Sequence, residues 1–258
     1  MDKENVKAKV IKQFGNNANK YVTSESHSKG EDLTLLVDWL KPQDHWIALD
    51  IATGGGHVAK ALAPHVKQVV ASDLTKEMLA NTSQHLGSSF QNIFYVIADA
   101  ENLPFLDQTF DVITCRIAPH HFPNPDRFVK EVARVLKPNG SFLMIDNVVP
   151  EESHLAKFMN TFERLRDESH AACLSIEKWR PLFSEANLME IKSKVRKKTY
   201  VFPEWVKRTA VNQHQIDKVT DYILKADEKI HEYFHIIINE QSIDSLQVDE
   251  WMVQYMKN

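Results

Sequence analysis

Cysteine is scarce in this chain: only Cys115 and Cys173 occur in 258 residues, with no CxxC pair and no Cys/His spacing suited to a metal. Neither a disulfide framework nor a zinc site is therefore indicated. Long apolar runs are missing as well, and the opening stretch MDKENVKAKV has no apolar centre of the kind a secretory signal needs. The expectation is a cytoplasmic protein with no membrane partner. Charge of one sign is also lacking, since the formal net charge is only −4. That balance argues against a wholesale electrostatic nucleic-acid binder and leaves a small molecule as the expected partner. Internal repeats and low-complexity tracts do not occur. What is present is 43% hydrophobic content, enough to bury one large α/β core. A single domain over 1–258 is expected, with its core at about 35–150 and a lid with closing strands at about 151–258.

Compact apolar runs at 46–51, 68–73, 93–98, 110–115 and 141–146 read as strands. Between them lie helical patterns at 58–63, 75–86 and 125–136, with a short Ala/Glu segment near Ala100. Strands that alternate with helices in this way form a parallel sheet covered on both faces. The fold class is thus α/β, a doubly wound, Rossmann-like sheet of seven mostly parallel strands. The run LKPNG, 136–140, reads as a helix stop and turn, with Pro138 and Gly140 supplying the break. Beyond the core, 153–168 is helical, with Leu155, Phe158, Met159, Phe162 and Leu165 on one stripe. Another helix is expected over 176–188, a strand over 189–201, more helix over 203–233, and closing strands in FHIIIN and EWMVQYM. The late helices should cover the carboxyl ends of the strands, where ligands bind in such folds.

The stretch LDIATGGGHVAKAL, 49–62, places a strand, a glycine turn and a helix in succession. Gly54-x-Gly56-x-x-Ala59 fits a loose dinucleotide fingerprint, a weak signal taken alone. Asp50, just before the turn, would repel a pyrophosphate, whereas it suits a ligand that carries cations. S-adenosylmethionine has an ammonium and a sulfonium and no phosphate. Asp73 follows Asp50 by 23 residues, close to the roughly 20 expected of an acid that binds ribose hydroxyls. Asp99 ends the third strand and can accept from an adenine amino group, with the Ala100 amide meeting a ring nitrogen and Met78 packing on the ring. Three successive strand ends each offer an acid, one for each moiety of such a ligand.

The segments LDIATGGG, ASDLTKEML, ADAENLPFLDQTFD and EVARVLKPNG resemble the successive motifs of class I S-adenosylmethionine-dependent methyltransferases, in the branch near the ubiquinone and menaquinone C-methyltransferases. The likeness covers about 40–150. It implies a methyl-transfer enzyme with S-adenosyl-L-methionine as cofactor and S-adenosyl-L-homocysteine as product. It would place the methionine portion near Asp50, Gly54, Gly56 and Arg116, the ribose on Asp73 beside Leu74, and the adenine against Met78, Asp99 and Ala100. The QFGNNANKYVTSESHSKG segment is similar to the family's amino-terminal region, in which Phe14 and Tyr21 would flank the cofactor. One position departs from the motif: Ala52 stands where the first glycine of the turn is usual, so a different local backbone is expected.

Methyl transfer of this kind rests mainly on in-line positioning, with a base where the acceptor must lose a proton. His120 and His121, in the Pro-bounded loop after the fourth strand, are the candidate bases. Arg166 and His170, in RDESH, are candidates on the substrate side. Asp146-Asn147 at the fifth strand end resembles part of a catechol-type magnesium site. Such a site also needs an acid at the fourth strand end, where Arg116 stands, so no metal is expected and Asp146 and Asn147 should line the pocket. The basic run KSKVRKK alternates Lys192, Lys194, Arg196 and Lys198 on one strand face, expected to be a solvated face or an edge protected by charge. The overall expectation is methyl transfer to a small, hydrophobic or aromatic metabolite. An NAD-dependent oxidoreductase and a non-catalytic S-adenosylmethionine-binding regulator are the alternatives.

Overall fold

The computed structural model describes residues 3–22, 30–240 and 242–258, with side chains described for 4–15 and from 30 onward within those ranges. Its strands are β1 Ile47–Ile51, β2 Gln68–Asp73, β3 Ile93–Ile97, β4 Phe110–Arg116, β5 Leu136–Val148, β6 Leu188–Val201, β7 Ile237–Asn239 and β8 Ser242–Lys257. They form one sheet in the order β3-β2-β1-β4-β5-β8-β6, with the short β7 pairing β8 off that path. The pairings of β1 to β5 are parallel, and β8 runs antiparallel between β5 and β6. The expected number of seven strands lies along this path, and β7 adds an eighth.

Parallel strands covered on both faces should be apolar at consecutive positions, because side chains alternate between the two sides. Ala48, Val112, Leu143 and Ile145 face one layer with Leu36, Val58 and Leu62. Their chain neighbours Leu49, Ile113, Phe142 and Met144 face the other, with Phe128, Trp179 and Phe183. The helices His57–Leu62, Lys76–Leu86 and Pro125–Val135 supply the crossovers. Burying each large aliphatic side chain in these layers contributes about 1.5–3 kcal/mol.

Several local expectations are corrected. The segment near Ala100 is a turn, closed by a bridge between Asp99 and Asn102 and by the Asp99 carboxylate accepting from the Glu101 amide at 3.0 Å. LKPNG forms a wide irregularity inside β5, where the register passes from Phe110 opposite Leu136 to Val112 opposite Ser141. Its left-handed residue is Asn139, φ 61°. Gly140 is required there for space, since a Cβ would lie 2.8 Å from Leu136 Cδ1 and 2.9 Å from the Lys137 carbonyl oxygen. The helix expected over 203–233 is three helices, Phe202–Val206, Gln213–Leu224 and Glu228–Tyr233. The side chains of Asn212 and Asp227 cap the second and third, accepting from the amides of Gln215 and Ile230. Together with Ser153–Arg166 these helices close a separate apolar cluster around Phe158, Phe162, Trp205, Ile223 and Phe234. The stripe of Leu155, Phe158, Met159 and Phe162 is spent on that cluster.

Candidate active site

The chain leaves β1 to build β2 and β3 on one side, then returns to place β4 and β5 on the other. The carboxyl ends of β1 and β4 therefore part at a switch point, the place where such sheets open a ligand crevice. A cavity of about 1030 Å³ lies there. Asp50, Ala52, Gly54, Asp73, Leu74, Met78, Asp99, Ala100 and Arg116 all line it, contributed by four strand ends with the turns that follow them and, for Met78, by the helix Lys76–Leu86. Gly56 does not. It caps the helix His57–Leu62 at φ 75°, and a Cβ would run into Thr82 and lie 2.7 Å from Leu86 Cδ1, so its role is close helix packing. The side chain of Tyr21 lies outside the described residues.

Hydrogen bonds explain how the turn is held. Thr53 donates its backbone N–H to the Ser72 carbonyl at 2.8 Å, and the Gly54 N–H donates to Asp73 Oδ2 at 3.0 Å. The Thr82 hydroxyl donates to the Gly54 carbonyl at 2.6 Å. Ala52 adopts φ 52°, so the left-handed backbone is kept despite the missing glycine, at a cost of about 1–2 kcal/mol.

Asp50 is 1% exposed, yet both its oxygens accept from hydroxyls, Thr53 Oγ1 at 2.6 Å and Thr114 Oγ1 at 2.9 Å, rather than from a cation. Burial pushes its carboxyl up to about 6. Burial likewise pushes the Asp73 carboxyl upward, against hydrogen bonds from the Thr75 and Gly54 amides. A cavity that turns buried, incompletely compensated carboxylates toward its ligand fits a cationic group and disfavours a pyrophosphate. Asp99 is already engaged: Lys7 Nζ reaches it and Glu101 at 2.6 Å each, so the amino-terminal helix Lys3–Val22 forms part of the wall. Arg116 donates through Nε to Asp32 at 2.5 Å, a buried pair in which Arg116 holds the Asp32 carboxyl below the ordinary range despite burial. Thr53, Thr114, Asp32, Lys7 and Glu101 were not foreseen in the sequence.

A second cavity of about 1160 Å³ lies beyond β4 and β5, beneath the late helices. Its walls include Asn147, Arg166, Lys198, Tyr200, Trp205 and Arg208, a polar and aromatic set. Arg166 donates to Glu163 at 2.8 Å and to Thr209 Oγ1 at 2.8 Å, with its guanidinium 4.2 Å from the Trp205 ring centre. Lys198 pairs with Glu250 at 2.5 Å, and Arg196 pairs with the same carboxylate at 2.5 Å. These two basic residues lie on β6, the end strand of the sheet path, as half-buried partners of one carboxylate.

The two cavities share one wall, made by Phe14, Ile117 and His121. Ile117 has φ 54°, an uncommon state for a β-branched residue, and its N–H is tied to the Ile145 carbonyl at 2.7 Å. Phe14 meets the His121 ring edge-on at 5.1 Å. His120 lines the second cavity, and its Nδ1 lies 2.6 Å from Asp146 Oδ1 while its backbone N–H donates to Asp146 Oδ2 at 2.9 Å. Asp146 and His170, expected to line the acceptor pocket, are not among the residues lining these two cavities. Asp146 lies behind His120, and His170 stacks on His120 at 5.5 Å with its Nε2 held 2.9 Å from Asn160 Oδ1. Among the described residues no three His, Cys, Asp or Glu side chains are grouped to hold a metal.

Comparison with known proteins agrees with this geometry. Residues 49–144 match the family model described as a methyltransferase domain. The uncharacterised methyltransferase YcgJ of Bacillus subtilis (strain 168) is 34% identical over 228 residues, covering 88% of this chain and 90% of that one. The crystal structure of YcgJ from that species matches with TM-score 0.82 and 33% identity, over 88% of this chain and 97% of that one. The ubiquinone/menaquinone biosynthesis C-methyltransferase UbiE of Rickettsia typhi is 36% identical over 118 residues, 43% of this chain and 48% of its own. With the strand-end acids, the switch-point cavity and a relative matched over nearly its whole length, the chain belongs to the class I S-adenosylmethionine-dependent methyltransferases.

Proposed function

We propose that the first cavity holds S-adenosylmethionine and the second holds a small methyl acceptor, so that transfer takes place across the wall of Phe14, Ile117 and His121. The observation that carries this reading is the shared wall itself, which joins a cavity lined by three strand-end acids to one lined by polar and aromatic side chains. Asp50 and Arg116 would take the amino and carboxylate groups of the methionine portion, Asp73 the ribose, and Asp99, Ala100 and Met78 the adenine. When bound, the cofactor supplies an activated methyl group and its own leaving group. The chain's residues supply orientation, exclusion of water by Phe14 and Ile117, and proton acceptance at the histidine pair. Trp205, Tyr200 and Phe14 favour an acceptor with an aromatic body, and Asn147 and Arg208 favour polar substituents on it. The UbiE match leaves more than half of this chain uncovered, so its quinone-pathway acceptor is not carried over.

The test is incubation of the protein with methyl-labelled S-adenosylmethionine and a small-molecule extract. Label recovered in a new compound of the size-filtered fraction is the expected result. Label recovered only in nucleic acid or protein would overturn the small-molecule reading.

A further inference from the structure

The geometry points to Asp146 as the positioning residue of a general base, with His120, not His121, taking a proton from an O–H acceptor in the second cavity. This rests on the proposed placement of cofactor and acceptor. The pair is assembled by strand register. β4 and β5 run parallel with Arg116 opposite Ile145, which brings Asp146 beside the loop that follows β4. Both Asp146 oxygens are then committed to one residue, Oδ2 to the His120 backbone N–H and Oδ1 to its ring Nδ1. The backbone contact fixes where the ring starts, and the side-chain contact fixes which nitrogen carries hydrogen. With Nδ1–H donating to the carboxylate, Nε2 keeps its lone pair. Asp146 lies behind the wall while His120 lies on it, so the ring edge bearing Nε2 is the one left to face the cavity.

The groups around His120 separate it from its neighbour. Asp146, Glu163 and Asp167 are the acids whose fields reach it, and His121 and His170 are the other imidazoles. Burial opposes a charge on His120, but the Asp146 carboxylate overrides it and the net shift is upward. His121 donates from Nδ1 to the Ser169 carbonyl at 3.0 Å, and burial with the adjacent His120 holds it down to about 4. A ring held that low is a weak proton acceptor, whereas the Asp146 carboxylate favours the protonated form of His120. His170 is kept neutral by burial and by both other histidines, so it adds no opposing charge. As the acceptor oxygen bonds to the methyl carbon, the O–H proton passes to His120 Nε2 and the carbon–sulfur electron pair stays on sulfur. The imidazolium so formed is stabilised by Asp146, and the product is neutral.

The probes are phenol, protonated at neutral pH, and thiophenol, already ionised there, each offered with S-adenosylmethionine to wild type, Asp146→Asn and His120→Gln. Binding of S-adenosylhomocysteine is measured on the same preparations as a check of the cofactor site and fold. The expected result is methylated phenol with wild type, a roughly hundredfold loss of kcat on phenol in both variants, and a loss below about fivefold on thiophenol. Equal losses on the two probes would mean a merely structural pair and overturn the proposal. No turnover of phenol by wild-type protein that binds S-adenosylhomocysteine would overturn it as well. If wild type fails to bind S-adenosylhomocysteine, the cofactor placement fails first, and the base assignment with it.

Discussion

Affinity for S-adenosylhomocysteine is expected to fall as pH drops from 7.5 to 5, because Asp50 must be ionised to receive the ligand's ammonium. Its carboxyl is 1% exposed and rests on two hydroxyls, and burial raises it to about 6. At pH 7.5 nearly all of it is ionised, and at pH 5 about a tenth is, so the expected loss is about tenfold. The sign follows from the direction of the shift: a bound cation favours the carboxylate, so binding lowers the Asp50 pKa and releases protons near pH 6. Asp73, also raised by burial, acts in the same direction. Titration calorimetry in two buffers of different ionisation enthalpy reads both the affinity and the proton release. Asp50→Asn should bind more weakly at pH 7.5 and show a flatter profile. The same substitution should raise stability at that pH. A carboxyl raised from 3.8 to about 6 costs roughly 3 kcal/mol when ionised in the folded state. That cost is absent below the unfolded value and grows as pH rises through the folded one. An affinity unchanged between pH 5 and 7.5, or a wild-type slope retained in Asp50→Asn, would refute the reasoning.

Ala52→Gly should relieve the left-handed strain at φ 52° and add about 1 kcal/mol of stability, seen as a rise in Tm of about 2 °C. Gly56→Ala should do the reverse, since the new methyl meets Thr82 and Leu86 at a left-handed position. A loss of about 2–4 kcal/mol in denaturant unfolding is expected. Glu250→Gln leaves Arg196 and Lys198 without their shared carboxylate. Because the two cations are 34% and 24% exposed, the expected loss is about 2 kcal/mol rather than the larger value of a fully buried pair. A loss under 0.5 kcal/mol on the same scale would place that network at the surface in energetic terms.

The parallel core was legible because each buried strand is a continuous apolar run, against which an acid at the end stands out. Asp50, Asp73 and Asp99 were found that way, whereas the return of β4 to the far side of β1 is a matter of topology that the apolar runs do not encode. The contacts that complete the site join residues far apart in sequence. His120 meets Asp146 across 26 positions, Arg116 meets Asp32 across 84, and Lys7 meets Asp99 across 92. Each depends on strand register or on helix docking, which no local pattern encodes. The apolar stripe of Ser153–Arg166 was legible as a covered face, though its cover was not. Helical spacing says that a face is covered but not by what, and the cover is Trp205, Tyr222 and Phe234 rather than a ligand. The caps at Asn212 and Asp227 were readable in principle, since Asn and Asp ahead of a helical run are start signals.

The most direct test of the cofactor assignment is isothermal titration of S-adenosylhomocysteine into wild type and Asp73→Ala, with NAD as the control ligand. The account predicts saturable binding of S-adenosylhomocysteine to wild type, at least tenfold weaker binding to Asp73→Ala, and no binding of NAD. Saturable NAD binding, or no binding of S-adenosylhomocysteine by demonstrably folded protein, would contradict it.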